Sequence, residues 1–145
     1  MIKFFKKKKL KNNNLELLSR TASLLIHAAK IDENYTIKEK ELIKKVLIEL
    51  GVEKSKVYQI ITNAEINEEK SNQILDFTKI IKNENKEYKI KIVETLWSII
   101  YSNNEADIYE SNLMRRLSGL LYLDDKLMGE IKKKIREQNL KWHIL

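Results

Sequence analysis

Two short stretches gather oxygen donors just ahead of amphipathic segments. In KIDENYTIKEKELIKKVL (residues 30–47) the donors are Asp32, Asn34, Thr36 and Glu39. In YSNNEADIYESNLMRRLSGLL (101–121) they are Asn103, Glu105, Asp107 and Glu110. Carboxylate, amide and hydroxyl oxygens are the donor types a hard divalent cation takes, about six to eight of them for Ca2+. Asp32, Asn34, Glu39, Asp107 and Glu110 are therefore candidate metal ligands, with Ca2+, Mg2+, Mn2+ or Zn2+ as the candidate ion. Neither stretch is an EF-hand. Counted from Asp32, Ile37 stands where that loop needs glycine and Ile43 where it needs a bidentate glutamate. The same residues also suit a purely structural role. Thr36–Glu39 and Asp107–Glu110 have the spacing of capping boxes, in which the first side chain accepts from a backbone N–H and the glutamate reaches back. Both roles stand open on the sequence alone.

Other chemistry is sparse. The histidines, His27 and His143, lie far apart, and His27 is expected at the core edge of a helix. There is no cysteine, hence no disulfide, thiolate metal site or cysteine nucleophile. No nucleophile stands beside a histidine in a known arrangement, and no glycine loop is built for phosphate. The chain is expected not to be an enzyme. Glu68-Glu69 and Asp124-Asp125 are expected as helix-start charges that favour the dipole. Trp97 and Tyr101 are expected in the core, and Arg115-Arg116 on a solvated face.

The elements that must position these residues are helices. The 145 residues are 43% apolar, with no proline and three glycines. That is too little turn chemistry for a sheet protein and suits an all-α domain. Apolar periodicity predicts seven helices. The first runs over about 15–30, with Asn12–Asn14 offering its N-cap, and carries Leu15, Leu18, Ala22, Leu25, Ile26 and Ala29 on one face. The second starts near Thr36, turns Ile37, Leu42, Ile43, Val46, Leu47 and Leu50 inward, and ends at Gly51. The third spans about 53–64. EINEEK (65–70) is expected as a break before a fourth helix over about 68–82. The fifth spans about 86–102 and the sixth starts at Asp107. The seventh covers about 125–138, after which Trp142 and Ile144 are expected to dock on the body.

At an offset of 71 residues the two halves align. Leu25 meets Leu96, Ile37 meets Ile108, Glu39 meets Glu110, Leu42 meets Leu113, Leu50 meets Leu121 and Ile60 meets Ile131. This predicts two pseudo-repeated three-helix lobes joined by a connector helix. Gly119, inside the sixth helix, is expected to mark a close helix approach.

The net charge of +7 is concentrated at one end. Lys3, Lys6, Lys7, Lys8, Lys9 and Lys11 leave a remainder of 22 basic and 21 acidic residues. Residues 1–14 are expected as a basic, disordered tail, and 15–145 as a single domain. The tail's short apolar part does not make a signal-peptide core. No later run reaches the length that spans a bilayer. The expected location is cytoplasmic. Phe4 and Phe5 beside Lys6, Lys7, Lys8 and Lys9 are candidates for peripheral contact with an anionic membrane surface. A nearly neutral body argues against nucleic acid, whose binding would have to use the tail, Arg115, Arg116 and Lys132–Lys134.

LLIHAAKIDENYTIKEKELIKKVL resembles the first half of the TerB-like, tellurite-resistance domain. KIVETLWSIIYSNNEADIYESNLMRRLSGLLYLDDKLMGEI resembles its second half, and ILDFTKII the middle of a short, stand-alone bacterial branch. The likeness covers roughly residues 15–138. The family pattern is Asp-Gly after an apolar helix, then a cap, then Glu. Asp32, Thr36 and Glu39 match it in the first half, and Asp107 and Glu110 in the second. The Asp-Gly pair itself has become Asp32-Glu33 and Asn103-Asn104. The resemblance implies an all-helical, two-lobed, non-catalytic domain with metal associated at the acidic loops. Related domains occur in tellurite-resistance and stress operons and beside a membrane-anchored J-domain co-chaperone. A protein partner, unidentified, is expected as well.

Overall fold

The computed structural model describes residues 12–31, 35–71, 73–101 and 108–144, with side chains described within 14–31, 35–71, 73–101 and 112–138. Among the described residues the chain is all-helical. The helices are α1 (Asn12–Ile31), α2 (Ile37–Glu49), α3 (Lys54–Lys70), α4 (Leu75–Ile81), α5 (Lys86–Tyr101), α6 (Ile108–Leu120) and α7 (Asp125–Ile144). No helix among them is long and apolar enough to cross a membrane.

α1 is the axis of the fold and packs against α2, α3, α4, α5 and α6. This explains why its buried set is wider than one stripe. Leu17, Leu24 and Ala28 are buried together with Leu18, Ala22, Leu25, Ile26 and Ala29, while Leu15 at the first turn is exposed. A helix with neighbours on most sides buries most of its circumference. α5 is the second axis, packed against α1, α2 and α7. Its buried residues run from Tyr88 through Ile92, Val93, Leu96, Trp97, Ile99 and Ile100 to Tyr101. α2 turns Ile43, Val46 and Leu47 inward, but Ile37 is 81% exposed, against expectation. It occupies the first position of the helix, beyond the reach of the packed interface.

Polar groups, buried at Ser23 and Lys89 and half-buried at Arg20, tie the helices in register. Ser23 donates from Oγ to the Ala64 carbonyl at 3.1 Å, fixing α1 on α3. Arg20 donates to the Asp76 carbonyl at 3.1 Å, fixing α1 on α4. Lys89, on α5, donates from Nζ to the Leu121 carbonyl at 2.8 Å and to the Lys82 carbonyl at 3.3 Å. One ammonium thereby serves orphan carbonyls just past the ends of α6 and α4.

Three expected boundaries change. EINEEK is helix, so α3 runs on to Lys70 and α4 shrinks to Leu75–Ile81. Nothing in EINEEK breaks a helix, and Ala64 and Glu68 are buried against neighbours. Glu68 and Glu69 consequently lie in the last turn of α3, not at a helix start. α7 continues to Ile144 instead of stopping near residue 138. α1 already includes Asn12–Asn14. The expected docking of Trp142 and Ile144 falls on side chains outside the described ones.

The helix–turn–helix geometry recurs at the offset of 71 read from the sequence. α2 and α6 begin and end 71 residues apart, and so do the starts of α3 and α7. α2 closes with Val52 N–H on the Leu47 carbonyl and Gly51 N–H on the Ile48 carbonyl, both 2.9 Å. α6 closes with Leu123 N–H on the Ser118 carbonyl at 3.0 Å and Tyr122 N–H on the Gly119 carbonyl at 3.3 Å. Each pair is a Schellman motif with its C′ residue at positive φ: Gly51 at 115° and Tyr122 at 57°.

Candidate functional site

The C-terminal end of α1, Tyr35 and the N-terminal end of α2 all meet the second half of α3. At the start of α2, Glu39 is only 3% exposed. Its Oε1 accepts the Thr36 backbone N–H at 3.1 Å and also the Thr36 hydroxyl. The Thr36 side chain in turn serves the Glu39 backbone, completing the capping box that the spacing predicts. A carboxylate here also meets the positive end of the α2 dipole.

Two further carboxylates project from α3. Glu65 accepts the Tyr35 hydroxyl at 2.8 Å, and its Oε2 lies 3.3 Å from the Lys40 ammonium. Burial, that hydrogen bond and the charges of Glu65 and Glu68 push the Tyr35 phenol well above its ordinary pKa. Glu68, 7% exposed, meets Lys30 Nζ at 2.7 Å and His27 Nδ1 at 3.1 Å. The His27 ring also lies against Phe77, with centroids 6.0 Å apart. His27 therefore does sit at a core edge, but as a partner of a buried acid.

The consequence is mechanical. Lys30 precedes the loop by two residues and is fixed to α3 through Glu68. Tyr35 follows the loop directly and is fixed to α3 through Glu65. Both residues that flank the first acidic loop are thus tied to α3. Each carboxylate described here already has a proton donor or cation of its own. Among the described residues, no group of three or more His, Cys, Asp or Glu is placed to hold a metal ion.

Of the candidate ligands, the structure describes Glu39 and finds it capping α2. Asp32, Asn34 and Asp107 lie outside the described residues, as do Asn103 and Glu105. Glu110 lies on α6, with its side chain outside the described ones. Phe4, Phe5, Lys6, Lys7, Lys8 and Lys9 lie outside them too. The pairing roles of Glu65 and Glu68 escape the sequence reading because EINEEK is read as a break, with Glu68 taken as a helix-start charge. Extended as a helix, it places the two acids three positions apart, Glu68 toward His27 and Lys30 of α1 and Glu65 toward Tyr35 and Lys40.

Over residues 19–133 the chain matches the family described as tellurite resistance protein TerB. The chain belongs to the TerB family. The matched span holds all seven helices in whole or in part, together with both acidic loops and the residues that flank the first. No match was found among curated proteins or among solved structures.

Proposed function

We propose that this TerB domain is a non-catalytic binding module whose working surface is the acidic-loop end, and that its ligand there is a divalent cation. The observation that carries the reading is the double anchoring of the first loop, through Lys30–Glu68 before it and Tyr35–Glu65 after it. Fixed loop ends lower the ordering cost of gathering ligands around an ion. The donor chemistry suits a hard cation. Asp32, Asn34 and the backbone carbonyls of the loop offer oxygen only, with no imidazole or thiol between Ile31 and Tyr35. That favours Ca2+, Mg2+ or Mn2+ over Zn2+. Glu39 serves as the cap that sets the start of α2, and the ligating work falls to Asp32 and Asn34. In the second loop Asn103 replaces the charge that Asp32 supplies, so Asp107 and Glu110 form the weaker site. A protein partner then reads this same end of the domain.

The test is a thermal melt of chelator-treated protein titrated separately with Ca2+, Mg2+, Mn2+ and Zn2+. A ligand at about 100 times its Kd stabilises a fold by about 2.7 kcal/mol. A saturable rise in Tm with one of the oxygen-preferring ions, lost in Asp32→Asn, is the expected result. No rise with any ion overturns the cation reading.

A further inference from the structure

We draw no further inference here: the strongest candidate, the surface patch on α2 and α3 where the side chains of Ile37, Tyr58 and Ile66 stand exposed, is an unpartnered apolar face, and nothing in the structure shows what covers it.

Discussion

At the scale of single residues, the polar groups of the interior show how burial decides their state. Tyr88 is 3% exposed, and its hydroxyl lies 2.7 Å from that of Thr21. The Thr21 hydroxyl donates to the Leu17 carbonyl at 2.8 Å, so Tyr88 is the donor between them. Burial pushes the Tyr88 phenol well above its ordinary pKa. The sign of the pH effect follows. In the unfolded chain the phenol ionises near pH 10, and in the folded chain it stays protonated there. Its contribution to stability is complete below about pH 10 and is lost as pH rises from there toward the folded value, with a slope of up to about 1.4 kcal/mol per pH unit. Urea unfolding of the native protein and of Tyr88→Phe, followed upward from about pH 8, should show the variant losing less stability above about pH 10 by that share. Parallel profiles would mean that Tyr88 is not held protonated. The capping role of Glu39 was legible at this same scale, because three-residue spacing is a local rule. The Glu68 pairs were not, because no local rule joins α1 to α3.

At the scale of elements, the two Schellman turns compare one solution with and without glycine. Gly51 takes positive φ at no steric cost. Tyr122 takes it with a side chain that is 67% exposed and whose ring lies 5.8 Å from the Lys82 ammonium. A left-handed non-glycine residue costs about 1–2 kcal/mol, and an exposed cation–π contact returns only about 0.5–1 kcal/mol. Tyr122→Gly should therefore stabilise the protein by about 0.5–1 kcal/mol in chemical denaturation. Gly119 belongs to the same experiment. It was expected to allow a close helix approach, but a Cβ there would meet nothing within 4 Å. Gly119→Ala should then gain up to about 1 kcal/mol from helix propensity alone. A loss of stability in either variant would contradict the geometry of this turn. Helix identities were legible because apolar residues recur at helical spacing and short polar segments separate them. The α3–α4 boundary was not, because EINEEK looks like a linker by polarity while its side chains make long-range pairs. Tyr122 was half legible: the offset places it opposite Gly51, yet no glycine announces the turn.

At the scale of the whole molecule, the recurrence of local geometry raises the question of whether the halves are independent. Packing answers it. α1 of the first half lies against α5 and α6 of the second, and α2 lies against α5. The buried apolar residues form one cluster that runs from Leu17 through Phe77 and Leu96 to Ile135. The two triplets of helices thus share one core, in which α1 lies against α5. The recurrence of helix bounds at an offset of 71 was legible in sequence because apolar positions match at that offset; sharing of the core was not, because periodicity tells which face is apolar and not what it meets. A shared core predicts one cooperative transition. Far-ultraviolet circular dichroism reports all seven helices, while Trp97 fluorescence in Trp142→Phe reports the α5–α7 side. The two should give superimposable urea transitions, and Leu25→Ala in α1 should shift both midpoints equally, with a cost of about 2–5 kcal/mol for a fully buried leucine. A Trp97 transition that stayed in place while the circular dichroism moved would mean that the second half holds its own core and folds apart from the first.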